Sequence, residues 1–305
     1  MSKSLRSLFT AASLAIALGV FVLEIIAPQL PPYVGPADAS TVRVTEVPCA
    51  PVLIMDTGDG SVRVNAHDQP GTSPCRVRAD IRLYRRGDDT PGADVRRLLP
   101  EVTTIDSTAS TLHVRSLPEG WPEDVAAVIK YEVDVPRGAD VQVRGVNGNV
   151  WVAEGCGEVR VEGINSDVSI FGPEGTVFAR STNGRLRLFG SRHPATLETV
   201  NGNIHAQLLD GQLTAVSVNG RVTADVMRPA VDAAVLRSEN GNVEVGLPRR
   251  GGFTLDAVAE RGRVEGDSVI AGLRTGSGSY RGVEGTGELL LTLHSANGSI
   301  RLSRN

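Results

Sequence analysis

Two acidic side chains, Glu244 and Glu265, stand at equivalent places in neighbouring segments of a repeating sequence. Side by side, such carboxylates could share general acid and base work on a polysaccharide, the chemistry of lyases and glycoside hydrolases. A solvated surface pair is the commoner outcome of that spacing, and no nucleophile-base motif accompanies either residue. The five histidines, His67, His113, His193, His205 and His294, fall at unrelated places in the repeat. No Cys or His stands at metal-ligand spacing, so no metal, cofactor or catalytic group is expected. Trp151, Phe171 and Phe189 are a different kind of candidate. They would gather into an aromatic patch that could hold a sugar ring or a protein partner, or could simply cover the edge of a core. Of the three cysteines, Cys49 and Cys75 could close a loop worth roughly 3 kcal/mol in an oxidising compartment, and Cys156 reads as a lone thiol.

The elements that must position these groups follow from a repeat. From Val146 the chain reads VNGNVWVAEGCGEVRVEG, INSDVSIFGPEGTVFARS, TNGRLRLFGSRHPATLET and VNGNIHAQLLDGQLTAVS, four lines of 18 residues. Asn147, Asn165, Asn183, Asn201 and Asn219 open successive lines at that spacing, and Asn240 and Asn297 extend the series. Apolar residues recur at places 1, 5, 7, 14 and 16 of each line. Pairs two apart describe short strands with one face in and one face out. A strand of four or five residues then needs a turn, which the Asn-Gly supplies, since Gly takes positive φ without steric cost and Asn tolerates it. A meander of hairpins would not return the same corner and the same five inward places every line. Stacked coils do, with equivalent residues about 4.8 Å apart.

The fold class expected is therefore all-β, a parallel β-solenoid read as a right-handed single-stranded β-helix with coils of about 18 residues. Equivalent asparagines would form a ladder of amides at one corner, with Ser181, Thr199, Ser217, Ser238, Ser277 and Ser295 stacked beside it. The coils are expected to follow one another in chain order, with Arg301, Arg304 and Asn305 blunting the last open strand edge.

The formal charge is −4, from 31 basic and 35 acidic residues. Nucleic acid is not an expected partner, because a binder needs a basic patch or stripe. Residues 1–27 read as a signal peptide or an N-terminal membrane anchor, with Lys3 and Arg6 ahead of an apolar run from Leu8 to Leu23. Residues 28–40 are a Pro-rich spacer. Residues 41–145 form an irregular β-rich opening, in which the phrase GDGSVRV around Asp59 resembles the later corners. Residues 146–305 carry the regular repeats.

The block YEVDVPRGADVQVRGVNGNV, followed by repeated Asn-Gly corners, resembles a large bacterial family of exported β-strand-repeat proteins of unknown function, labelled as candidate adhesins. The likeness runs from about Val42 to the C-terminus. Asn147, Asn183, Asn201, Asn219 and Asn240 match the family corner, while Asn165-Ser166 and Arg261-Gly262 depart from it. The resemblance implies a parallel β-solenoid of the cell envelope and carries no catalytic residues. The expected function is a non-enzymatic, exported scaffold for binding or adhesion, extracytoplasmic in location. Its expected partner is a protein or polysaccharide of the envelope or surface. A polysaccharide lyase or hydrolase on the same scaffold is the alternative.

Overall fold

The structure is a computed structural model that describes residues 36–68, 74–85, 94–228, 231–266 and 278–304. The N-terminal segment 1–27, most of the spacer, Ser277 and Asn305 lie outside the described residues. Among those described, no helix is long and apolar enough to cross a membrane. Among the described residues the 3-10 turn Val95–Leu98 is the one helical element, and the rest of the regular structure is strand.

The opening part holds β1 (Ala39–Val47), β2 (Val52–His67), β3 (Cys75–Arg85), β4 (Thr103–Ser107), β5 (Thr111–Ser116), β6 (Val125–Pro136) and β7 (Asp140–Asn147). The repeats follow as β8 (Val150–Val152), β9 (Val159–Asn165), β10 (Val168–Phe171), β11 (Val177–Asn183), β12 (Leu186–Ser191) and β13 (Ala195–Asn201). They continue as β14 (Ile204–Leu208), β15 (Gly211–Ser217), β16 (Val222–Val226), β17 (Val231–Ser238) and β18 (Val243–Leu247). The last are β19 (Phe253–Ala259), β20 (Val264–Gly266), β21 (Ser279–Glu284), β22 (Leu289–Ser295) and β23 (Ile300–Arg304).

These strands form two mostly parallel ladders. In one, β8, β10, β12, β14, β16 and β18 lie in succession, with Val150, Val168, Leu186, Ile204, Val222 and Val243 aligned. In the other, β7, β9, β11, β13, β15 and β17 lie in succession, with Val159, Val177, Ala195, Leu213 and Ala234 aligned. Alternation puts every second side chain inside, as in Ile204, Ala206 and Leu208 of β14. The inward residues of both ladders merge into one hydrophobic cluster.

The long strand β2 serves both ladders. Its first half pairs with β5 and β7, and its second half with β6 and β8. The GDGSVRV phrase thus occupies the place of a corner, with Asp59 opposite Asn147 and Val62 opposite Val150. Beyond β2 the pairing turns antiparallel, through β4 with β5, and through β1 with β3 and β3 with β6.

The C-terminal end corrects two expectations. The strands do not continue in chain order: β22 lies between β17 and β19, and β23 lies between β18 and β20. Ile300 accordingly faces Val243 on one side and Val264 on the other. Arg301 and Arg304 therefore belong to an inner strand and do not guard an open edge.

The corner glycines also differ from expectation. Gly60 and Gly148 have positive φ, but Gly184, Gly202, Gly220, Gly241 and Gly298 do not. Close approach dictates glycine there, because a Cβ would collide with the carbonyl oxygen of the neighbouring corner. The hydroxyl of Ser181, Thr199, Ser217, Ser238 or Ser295 lies beside the respective glycine and donates to the carbonyl of the neighbouring corner, at 2.8–3.1 Å. Where Ser166 replaces the corner glycine, the residue at the hydroxyl's usual place is Gly163, and a Cβ on Gly163 would strike the Ser166 side chain. One small side chain fills this space at each such corner, supplied from one place or the other.

Candidate functional site

The corner asparagines sit at strand ends, where the backbone turns and the side chains project along the stack. Each Nδ2 donates to the Oδ1 of the corner before it: Asn165 to Asn147, Asn183 to Asn165, Asn201 to Asn183, Asn219 to Asn201, Asn240 to Asn219 and Asn297 to Asn240. The last four of these links are 2.7 Å each. Asn147 at the start donates to the carboxylate of Asp59, and Asn297 at the finish accepts from the Arg261 guanidinium at 3.0 Å. All the amides point one way, so the row carries a dipole. The acid caps its donor end and the base caps its acceptor end, the signs that oppose each terminal partial charge. Asp59 and Arg261 stand where Asn would, and it is their charge that ends the row.

Outside the sheet, Trp151, Phe171 and Phe189 come together. Trp151 and Phe171 have ring centroids 5.5 Å apart, and Phe171 and Phe189 are stacked at 5.2 Å. The row is longer than the sequence suggests. The Arg63 guanidinium lies 4.4 Å from the Trp151 ring centroid, and His205 meets Phe189 edge-on at 5.5 Å. His205 in turn shares a 2.9 Å hydrogen bond with Asp225. The faces of the two phenyl rings are turned to each other, which leaves their edges for any outside contact. Arg63 was hidden because it precedes the regular lines, and His205 because it stands two places from the Phe column.

Beside Phe171 and Phe189 opens a cleft of about 380 Å³. Its walls include Arg137, Glu154, Glu174, Arg192 and His193, with Leu209 at one end. Arg137 is ion-paired with Glu174 and reaches Asp68 at 3.1 Å. Arg192 has no side-chain partner among the described residues and leaves its guanidinium free toward solvent.

Glu244 and Glu265 are not neighbours. Arg301 of β23 lies between them in the ladder and reaches Glu265 at 3.2 Å, while Glu244 lies 3.5 Å from Arg221. The stacking of the two carboxylates expected from the line spacing therefore does not occur, and a carboxylate pair with a guanidinium inserted cannot share a proton. The remaining histidines are dispersed, His113 at 2.7 Å from Asp56 and His294 at 3.0 Å from Glu260. Among the described residues no group of three His, Cys, Asp or Glu could hold a metal ion.

Cys49 and Cys75 are joined in a disulfide with Cα atoms 4.8 Å apart, tying the end of β1 to the start of β3. Cys156 is a free thiol inside the core, and burial, reinforced by the nearby Glu174 charge, pushes it up to about 12. Tyr131 is also buried, which raises its hydroxyl above the usual range. The phenol is held by Thr103 at 2.6 Å and Ser116 at 2.8 Å, both of which act to lower it. Burial disfavours ionised Asp167, yet the backbone N–H and the guanidinium of Arg185 outweigh it and hold the carboxyl below the ordinary range.

No protein-family model matches the chain, and no curated protein matches it. Solved structures do. One is called a candidate adhesin, from Bacteroides fragilis, with 12% identity, a TM-score of 0.49, and coverage of 88% of this chain and 99% of that one. A second candidate adhesin, from Parabacteroides distasonis, has 11% identity, a TM-score of 0.46, and coverage of 86% and 97%. A candidate lipid-binding protein from the same organism has 10% identity, a TM-score of 0.39, and coverage of 87% and 96%.

Proposed function

We propose that the chain is a right-handed parallel β-solenoid with coils of about 18 residues, exported through residues 1–27 and held off the membrane by the spacer 28–40. In this reading it acts outside the cytoplasm as a non-enzymatic scaffold that binds a protein or polysaccharide of the envelope or surface. Residues 41–145 form the irregular N-terminal part of the solenoid and 146–305 supply its regular coils. The Asn row is its structural spine, and the disulfide closes the N-terminal part. Export agrees with a Cys49–Cys75 bridge, since such bonds persist in oxidising compartments.

The observation that carries the binding role is the cleft alongside Phe171 and Phe189. It combines apolar ring edges with the free Arg192 guanidinium and the charged Arg137, Glu154 and Glu174, all on one outer face of a rigid stack. A few convergent polar groups beside an apolar wall are what orient a ligand in a pocket. No observation favours the polysaccharide-acting alternative, whose carboxylate pair is split by Arg301.

Binding of the full chain to immobilised polysaccharide and protein fractions from the envelope of the producing cell tests the reading. Phe189→Ala and Arg192→Ala should each lower retention on one fraction at least fivefold. Glu244→Gln, away from the cleft, should leave it unchanged. Equal retention of all three variants and the parent on both fractions would remove the cleft from the binding role.

A further inference from the structure

The last line of the chain, β22 and β23, is an insert. It fills a slot whose walls are β17 and β18 on one side and β19 and β20 on the other. Every ladder contact of the insert is made to those walls: Leu291 stands between Ala234 and Leu255, and Asn297 links Asn240 to Arg261. The walls are in register with each other as well, since Val243 and Val264 face the same Ile300.

On its N-terminal side the insert continues into a crossing of four residues, 285–288, which runs from β21 on one side of β19 to β22 on the other. Gly285 and Gly287 in it have positive φ. The crossing lies so close to Gly252 that a Cβ there would collide with the Thr286 and Gly287 nitrogens. Short, tightly turned connections of this kind favour exchange of the element that follows them between copies. Val283 and Leu290 flank this crossing on β21 and β22. Both face Thr254 in the ladder, and they are 67% and 54% exposed. Val258, on the same face of β19, is 37% exposed.

We propose that residues 289–305 exchange between two copies of this chain, each insert filling the slot of the other. All contacts of the insert re-form unchanged in the second copy, since the slot and the segment are identical. Only the 285–288 crossing changes, from a tight turn to an open link. The two crossings of a reciprocal dimer lie together, and the exposed Val283, Leu290 and Val258 of each copy become the surface they cover.

Val235 of β17 lies directly opposite Thr292 of β22, with both side chains outward and half-buried. Full-length Val235→Cys and Thr292→Cys are prepared separately, mixed at high concentration, warmed and oxidised. Exchange places one copy's residue 292 beside the other's residue 235, so a covalent heterodimer should form at least tenfold above the dimer from either variant alone. The double variant shows that the slot is assembled, by closing its own bridge at low concentration and bridging between copies at high concentration. A mixture that gives no heterodimer above the single-variant level overturns the proposal, whatever the double variant does.

Discussion

Asn297 donates its side-chain amide to Asn240 across 2.7 Å, although 57 residues separate them in the chain. Asn219, the partner of Asn240 on the other side, is only 21 residues from it. The row of amides thus follows the order of the stack and not the order of the chain. Its ends are set by charge, Asp59 at one and Arg261 at the other.

Removal of one amide breaks the row in the middle. Asn165→Ala leaves the Asn183 donor and the Asn147 acceptor unpaired at a half-buried corner, and should cost about 1–3 kcal/mol in urea denaturation. Asn201→Ala should cost less, because that corner is exposed and water can replace the missing partner.

The compensation between Gly163 and Ser166 predicts a strong double-mutant coupling. Gly163→Ser alone brings a second side chain into a space that Ser166 already fills, and Ser166→Gly alone leaves that space empty. The double substitution restores the pattern of Ser181 with Gly184. It should be more stable than the sum of the singles by about 1–3 kcal/mol. Simple additivity would contradict the shared space.

Gly202→Ala and Gly138→Ala separate two reasons for glycine. The first puts a Cβ against the Gly184 carbonyl, which cannot yield without opening the ladder, and should prevent cooperative folding or cost several kcal/mol. The second meets nothing within 4 Å and carries only the strain of φ +78°, about 1–2 kcal/mol. Thermal unfolding followed by circular dichroism ranks them.

Thiol chemistry should report the fold directly. Cys156 is buried and its thiol is raised to about 12, so it should resist alkylation at pH 8 in the native protein and react at once in denaturant. Two further thiols should appear only after reduction of the Cys49–Cys75 bridge, with a loss of roughly 3 kcal/mol.

Asp167 contributes to stability with a definite sign. Its carboxyl is held below the ordinary range in the folded chain, so its contribution is present above the unfolded carboxylate pKa and disappears as pH falls through the lower, folded value. The stability difference between the parent and Asp167→Asn should accordingly be larger at pH 7 than at pH 3. An equal difference at both would contradict the Arg185 interaction.

Most of the two ladders was legible in the sequence because inward residues such as Leu186, Ile204 and Val222 recur at one place in each line, and a period is a local signal. The order of the last lines was not. Val264 and Ile300 match Val243 equally well, and no local pattern states which of them is nearer. The separation of Glu244 from Glu265 was lost for the same reason. Phe171 and Phe189 were visible as a column with Trp151 close by, whereas Arg63 joins from β2, ahead of the regular lines and opposite Trp151, and His205 joins from two places off the Phe column. The role of the corner glycines was misread because Asn-Gly is a turn signal in itself, and crowding by the next corner is a property of the stack alone.

Protease treatment of intact cells carrying a C-terminally tagged copy tests the proposed role most directly. An exported binding scaffold loses its tag in intact cells, or once the outer permeability barrier is opened. A tag that stays protected until the cytoplasmic membrane itself is lysed would place the chain inside the cell, and would contradict the account.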